Sequence, residues 1–151
     1  MQPDYYSQEG MRAEIEEYAR FFREDMQGTV AERMPLYVHE VDYENMSITM
    51  VLAPTPWMAD RTGDMSNGAF SVVLDETMGF LCLYTAHGPM TPTVTMQLSL
   101  LRPIPIDKKL YIQAKMVGTD GTKIDVTATA WSEGMEHQPA CSAVGIYFAA
   151  K

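Results

Sequence analysis

One segment, residues 66–86, constrains the fold more than any other because it is apolar on every side. A helix drawn through it places apolar side chains around the whole circumference: Phe70, Val72, Val73, Leu74, Met78, Phe80, Leu81, Leu83 and Tyr84. The only charged residues in the segment are the neighbours Asp75 and Glu76. A helix that is apolar all round must be surrounded by protein. The pattern therefore predicts a buried helix over residues 66–86, around which the rest of the chain is organised.

The segments around this helix have the period of β-strands. Apolar and polar residues alternate in four segments that follow it: 93–101, 110–117, 123–131 and 140–148. Two more strand patterns precede it, at 36–41 and 46–53. Alternation with period two is typical of half-buried strands, and short Gly- and Pro-containing turns between strands indicate an antiparallel meander. The simplest packing is an α+β hotdog fold, in which one curved antiparallel sheet wraps around the buried helix.

The N-terminal part has a different pattern. Apolar residues recur every three or four positions over residues 9–26, which predicts an amphipathic helix: Met11, Ile15, Tyr18, Phe22 and Met26. We interpret this stripe as core packing or a dimer contact rather than a peptide-binding surface. Residues 1–28 are accordingly predicted to be an N-terminal helical extension, and residues 29–151 one domain.

The balance of charge limits the partners. The chain has 11 basic and 20 acidic residues, a formal net charge of −9. Nucleic-acid binding is not expected because clustered Lys and Arg are absent apart from Lys108 and Lys109. Anionic membranes and acidic carrier proteins are disfavoured, whereas a few local basic residues are enough to hold a small anion such as coenzyme A.

The cysteines and histidines point to no metal. Cys82 and Cys141 lie far apart within apolar segments, as expected for buried thiols in a reducing compartment. The three histidines have no Cys or His at ligand spacing: His39, His87 and His137. The first ten residues, MQPDYYSQEG, lack the basic and apolar regions of a signal peptide. We therefore predict a cytoplasmic protein without a metal or a separate cofactor.

The segment that begins at Asp60 reads D-R-T-G-D-M-S-N-G-A-F-S-V-V-L-D-E-T-M-G. It resembles the signature of the hotdog-fold acyl-CoA thioesterases of the phenylacetate-degradation (PaaI-like) type. In that family an Asn and a spacer Gly precede His-Gly-Gly, and an acid follows the His by nine residues. Six positions align with the pattern without a gap. Asp60 aligns with the Asn, Gly63 with the spacer Gly and Ser66 with the His. Asn67 and Gly68 align with the two glycines, and Asp75 aligns with the acid. Thr93, in the strand T-V-T-M-Q-L-S-L, lies where many relatives carry Ser or Thr.

The resemblance implies hydrolysis of an acyl-CoA or aryl-CoA thioester, with coenzyme A as part of the substrate. Asp75 is then the general base or nucleophile, and the helix start at Asn67 and Gly68 is the oxyanion site, with Asp60 and Thr93 nearby. A helix N-terminus suits an oxyanion because its first N–H groups are unpaired. The residues expected to hold substrate share a place near the helix start or a strand end: Ser66, Phe70, Arg102, Lys108 and Lys109.

Each of these residues also has an ordinary structural interpretation. Asp75 can belong to a solvent-facing strip of its helix, and the segment 66–68 can be a plain helix cap. Asp60 can be a solvated loop acid, and Thr93 a favoured strand residue. Because Asn, His and one Gly of the family pattern are replaced, a non-catalytic acyl-CoA binder is the alternative function. The third hypothesis is a hydratase or dehydratase of the same fold. Such enzymes usually have an Asp/His pair at the entry to the helix, but no His lies between His39 and His87.

Geometry adds one condition to the enzymatic hypothesis. Asp75 lies eight residues after Asn67, roughly 12 Å along a helix that rises about 1.5 Å per residue. One helix cannot bring both groups to a single thioester carbon. Two antiparallel helices related by a two-fold axis can do so, with the oxyanion site from one subunit and the acid from the other. We therefore predict a homodimer, and many relatives pair dimers into tetramers.

Overall fold

A computed structural model describes residues 1–150 of the chain. The elements follow in this order: α1 (Gln8–Glu24), α2 (Val30–Arg33), β1 (Tyr37–Asp42), β2 (Ser47–Leu52), a 3₁₀ turn (Pro56–Met58), α3 (Asn67–Ala86), β3 (Thr93–Leu100), β4 (Leu110–Thr119), β5 (Lys123–Ser132) and β6 (Cys141–Phe148). Both long helices and all six strands lie within a few residues of their predicted positions. The short α2 and the 3₁₀ turn were not predicted, because elements of one turn are too short to show a period.

All six strands form one antiparallel sheet with the order β1-β2-β4-β5-β6-β3. This confirms the predicted α+β hotdog architecture. The expected meander of the last four strands holds only for β4, β5 and β6. β3 lies instead at the far edge of the sheet, where it pairs with β6. The connection from β3 to β4, residues 101–109, contains two prolines and is longer than the loops that join tight hairpins, so it crosses to the other side of β5 and β6.

The central helix α3 packs against β2, β4 and β5, and its largest side chains are fully buried. Ser66 caps its start, because the Ser66 Oγ accepts the Ala69 N–H at 3.1 Å. His87 ends it in the left-handed conformation, with φ 48°. Within residues 1–150, α3 is the one helix long and apolar enough to cross a membrane, but half of that stretch is buried inside the fold. It is the core helix that the sequence predicts.

The N-terminal helix α1 packs on β1 and on α3. Met11, Ile15 and Ala19 are buried in the main core, which confirms core packing as the role of its apolar stripe. The ring of Phe22 contacts that of Phe80 edge to face, with 4.9 Å between the centroids. This contact brings the last turn of α1 next to the middle of α3, where Asp75 lies.

Candidate active site

Asp75 lies in the middle of α3, on the wall of a cavity of about 320 Å³ that we name the Asp75 cavity. Three neighbouring elements complete the wall: α1, the segment that leads into β3, and β6. The lining is mainly apolar and includes Phe22, Gly79, Phe80, Leu83, Pro89, Met90 and Pro92. Its polar side chains are Asp75, Glu76, Thr91, Thr93 and Tyr147. A carboxylate in an apolar cavity of this size is typical of a small-molecule site.

Two hydroxyl groups hold the Asp75 carboxylate. The Tyr147 hydroxyl donates to Asp75 Oδ1 at 2.6 Å, and the Thr93 hydroxyl donates to the same oxygen at 2.7 Å. The Tyr147 hydroxyl also lies 3.1 Å from the Asp75 main-chain carbonyl. Thr93 and Tyr147 are directly paired across β3 and β6. Side chains of such a pair project from the same face of a sheet, so both hydroxyls reach α3 together. Asp75 is thus not part of a solvent-facing strip.

Glu76 is the second carboxylate of the Asp75 cavity. Burial, together with the negative charge of Asp75, raises the pKa of Glu76 to about 7. Near neutral pH, Glu76 is therefore partly protonated and able to donate a hydrogen bond, which an ionised carboxylate cannot do. The nearby thiol of Cys82 is no candidate nucleophile, because burial and the charge of Asp75 raise its pKa to about 12.

The start of α3 borders a second cavity, of about 430 Å³, that we name the helix-start cavity. Asn67 lines it and is exposed, and a side-chain carbon built onto Gly68 meets nothing within 4 Å. Ser66 accepts the N–H groups of the third and fourth helix residues through its side chain and carbonyl. The N–H groups of Asn67 and Gly68 are left without an acceptor in the helix. They provide the donors that an oxyanion site requires.

The sequence matches the family model of the thioesterase superfamily over residues 62–137. That match spans half of the chain. The chain belongs to the thioesterase superfamily. Its activity class is therefore thioester hydrolysis, as the signature predicts. No curated protein sequence matches the chain.

Solved structures of low sequence identity share the fold. The phenylacetic acid degradation-related protein of Ralstonia eutropha superposes with a TM-score of 0.73 at 20% identity, over 87% of this chain and 98% of that one. The PaaI protein of Escherichia coli gives 0.72 at 12% identity, over 91% and 96%. The protein smu.793 of Streptococcus mutans, bound to acetyl CoA, gives 0.66 at 15% identity, over 75% and 86%.

The predicted site residues that line a cavity fall into two groups. Asp75 and Thr93 meet in the Asp75 cavity, whereas Asp60, Asn67 and Arg102 line the helix-start cavity. The two groups lie at opposite ends of β3, since the first cavity contains Thr93 and the second contains Leu100. Roughly 12 Å of helix separates Asn67 from Asp75. Within one chain, the predicted acid and the predicted oxyanion donors do not meet.

Asp60 lies in a tight loop rather than against α3. Its Oδ1 accepts the Thr62 N–H at 2.8 Å and also the Thr62 hydroxyl. These hydrogen bonds, the one from the Thr62 side chain first, hold the pKa of Asp60 below its usual range. Gly63 closes the loop with φ 89°, a conformation that favours glycine. The carboxylate is exposed and serves the local turn.

The remaining predicted residues are more dispersed. Phe70 is buried in the core and lines neither cavity. Lys108 and Lys109 are exposed on the connection from β3 to β4, also outside both cavities. Their roles in substrate binding stay predictions. Among residues 1–150, no group of three or more His, Cys, Asp or Glu side chains is placed to hold a metal ion.

Sequence reasoning did not single out Tyr147, although a signal was present. In the last strand, every second residue from Cys141 to Tyr147 is buried. A tyrosine on the buried face of a strand needs a partner for its hydroxyl. Asp75, a carboxylate within an apolar helix, needs a donor. Each residue was the available partner for the other.

Proposed function

We propose that this thioesterase hydrolyses acyl-CoA or aryl-CoA thioesters, with Asp75 as the general base or nucleophile and the start of α3 as the oxyanion site. The observation that carries the proposal is a carboxylate on the wall of an apolar cavity with one oxygen, Oδ2, that accepts no hydrogen bond from residues 1–150. That oxygen is free to take a proton from water or to attack the thioester carbon. The apolar lining suits the acyl or aryl group.

A thioester bound with its carbonyl carbon near Asp75 Oδ2 develops negative charge on the carbonyl oxygen when it is attacked. Backbone N–H groups that point at this oxygen lower the barrier without reorganising. The N–H groups of Asn67 and Gly68 are suitable donors, because neither is used inside α3. The C–S bond then breaks, and coenzyme A leaves as a thiolate that takes up a proton. With Asp75 as general base, the oxygen of the attacking water becomes part of the free acid and its proton passes to Asp75. With Asp75 as nucleophile, the acyl–Asp75 anhydride that forms is hydrolysed by water to the free acid and the carboxylate.

The site becomes complete in a homodimer joined along β3. β3 is an edge strand, and its sequence TVTMQLSL contains no charged residue or proline that would block pairing with another chain. The Asp75 cavity lies at the beginning of β3 and the helix-start cavity at its end. When two β3 strands pair antiparallel, the beginning of one lies beside the end of the other. The acid of each subunit then faces the helix start of its partner.

Coenzyme A as the leaving group is supported by two considerations. Two solved structures of the same fold hold acetyl CoA or coenzyme A: smu.793 of Streptococcus mutans and a thioesterase protein of Streptococcus pneumoniae. In this chain, Arg102 lines the helix-start cavity and offers a guanidinium to a phosphate. Lys108 and Lys109 follow it in the same connection. These cations are local exceptions on an acidic chain, which suits a small anion better than a polyanion.

The test is a thiol-release assay over acetyl, medium-chain, long-chain and aromatic CoA esters. Asp75→Asn keeps the shape of the side chain but removes its charge, so turnover should fall at least ~10²-fold, the lower range for loss of a general base. Asp125→Asn, at an exposed position on β5, is the matched control and should leave turnover unchanged. Turnover of Asp75→Asn equal to that of the parent chain would remove Asp75 from the mechanism. Binding of CoA esters without hydrolysis would favour the alternative, a non-catalytic binder.

A further inference from the structure

The two oxygens of the Asp75 carboxylate have different surroundings. Oδ1 accepts two short hydrogen bonds, from Tyr147 at 2.6 Å and from Thr93 at 2.7 Å. Oδ2 accepts none from residues 1–150. A carboxylate oxygen has about two lone-pair sites. Oδ1 is therefore fully used by the protein, and only Oδ2 remains for water or substrate.

The ring of Tyr147 is held in a closely fitting slot. Only 1% of the residue is exposed. Gly145 lies on the same strand, and a side-chain carbon built there would come within 3.0 Å of Tyr147 Cε2 and 3.2 Å of Met78 Sδ. On the helix, a carbon built onto Gly79 would be 4.0 Å from Tyr147 Cε1, which is ordinary van der Waals contact. Gly145 thus leaves the space that the ring occupies, and the packing of the ring sets where the hydroxyl points.

The Tyr147 hydroxyl is also fixed as a donor. Burial first, and then its hydrogen bond with the Asp75 carboxylate, raise the pKa of Tyr147 far above the usual range for a phenol. Near neutral pH it therefore keeps its proton. A hydrogen bond donated to a carboxylate favours its charged form. Burial and a neighbouring carboxylate such as Glu76 disfavour that form.

We propose that Tyr147 is the positioning residue of the active site: its buried hydroxyl, with that of Thr93, fixes Asp75 Oδ1 and leaves Oδ2 as the reacting oxygen. This inference rests on the proposed role of Asp75 in thioester hydrolysis. Tyr147 itself makes and breaks no bond of the substrate in this scheme. It acts through the orientation and the charge of Asp75.

The pH dependence of kcat tests the role of Tyr147, once the titratable groups around Asp75 are taken into account. Those that face Asp75 are Glu76 and Cys82 on α3 and Tyr147 on β6. The other two elements contribute the uncharged side chains of Phe22 and Thr93. Without the tyrosine hydroxyl, the protonated carboxyl is favoured. The acid limb of the kcat profile should then move to higher pH, and a Glu76→Gln background removes the contribution of Glu76 to that limb.

The first experiment is Tyr147→Phe, which removes one hydroxyl and leaves the ring in its slot. Loss of a hydrogen bond to a charged group is expected to lower kcat by about 10- to 100-fold, with KM changed by less than about twofold. Tyr84→Phe is the matched control. Tyr84, on α3, is buried like Tyr147, but its hydroxyl donates to the Tyr5 carbonyl at 2.7 Å, away from Asp75. Tyr84→Phe should lower thermal stability without moving the acid limb.

A direct titration makes the test independent of turnover. The carboxyl carbons of the protein are labelled with ¹³C-aspartate, and the Asp75 signal is assigned by its loss in Asp75→Asn. Its midpoint should move to higher pH in Tyr147→Phe and also in Thr93→Val, which provides a second variant if the first does not fold. An unchanged midpoint and an unchanged acid limb in both variants would overturn the positioning role, even when Asp75→Asn is inactive. Full activity of Asp75→Asn would instead overturn the proposed function.

Discussion

The candidate site has two halves, the Asp75 cavity and the helix-start cavity, and a single subunit completes the first further than the second. Asp75 is held by two hydroxyl donors from paired strands, inside a cavity with apolar walls. The start of α3 is bare by comparison, because Asn67 and Gly68 are exposed and no atom lies within 4 Å of a side chain built onto Gly68. We call the Asp75 cavity the closed half of the candidate site, because one chain provides both donors to the Asp75 carboxylate. We call the helix-start cavity the open half, because Asn67 and Gly68 are exposed there.

This difference indicates where substitutions should act. A group that its own chain has fixed is sensitive to the residues that fix it, such as Tyr147. A group that a second chain completes, as we propose for the start of α3, should be sensitive to assembly. The missing Asn, His and Gly of the family signature all lie in the open half, where the proposed mechanism uses backbone N–H groups as donors. The closed half keeps its Asp and Thr.

The largest expected effect comes from breaking each half on a different chain. Asp75→Asn and Gly68→Pro should each lower turnover at least ~10²-fold, the first by removing the base and the second by removing a donor N–H. Pro is tolerated in the first turn of a helix, so the second variant should still fold. Mixed and reassembled, half of the dimers are heterodimers with one intact composite site. About a quarter of the activity of the parent chain should return.

The control for this experiment is a double variant, in which both changes are on one chain. Mixed with the parent chain, it forms heterodimers in which each composite site carries one damaged half. If two folded single variants recover no activity when mixed, the shared-site arrangement is wrong. An active monomer at high dilution would contradict it as well.

The sequence predicts those parts of the fold and of the site that have a periodic pattern of apolar residues. The buried α3 and the six strands have clear periods, and their positions were predicted to within a few residues. The position of β3 at the edge of the sheet was not predicted. Alternation of apolar and polar residues shows which face of a strand is buried but not which strand lies beside it. Asp75 was predicted from the signature. Its bond to Tyr147 was not, since 72 residues separate the two and no local pattern links them.

Gly145→Ala tests the closed half without touching a reacting group. The added carbon would contact the Tyr147 ring at 3.0 Å and Met78 Sδ at 3.2 Å, so the ring must shift. Overpacking of this kind typically costs about 1–3 kcal/mol of the free energy of unfolding. Turnover should fall along with stability because the Tyr147 hydroxyl moves away from Asp75. Gly118→Ala on β4, where nothing lies within 4 Å, is the matched control for adding a methyl group to a strand. Equal melting temperatures for the two variants would contradict the close fit of the slot.

Glu76→Gln tests the charge carried by the closed half. The pKa of Glu76 is raised to about 7 when folded, so between about pH 4.5 and 7 the folded chain binds more proton than the unfolded chain. The contribution of Glu76 to stability is thus greatest in acid and is lost as the pH rises to about 7. Relative to the parent chain, Glu76→Gln should gain stability over that range, by on the order of 3 kcal/mol. The measurement is urea unfolding at several pH values, with the exposed Glu44→Gln as control. Parallel stability profiles for the parent chain and Glu76→Gln would contradict the raised pKa.

The smallest expected effect is in the open half, at Asp60. Its carboxylate accepts from Thr62 in its own turn, and an ionised carboxylate cannot donate a hydrogen bond to a substrate carbonyl. Asp60→Ala should therefore lower the melting temperature slightly and change kcat by less than about threefold. Asp60→Asn has the same length and adds an N–H₂ donor, so the two variants separate loss of the turn from gain of a donor. A rise of kcat in Asp60→Asn alone would mean that the side chain of residue 60 still faces the substrate. The open half would then lack only the donor group itself. A tenfold loss in both variants would mean that the charge of Asp60 itself serves the reaction, and the open half could no longer be described as backbone donors alone.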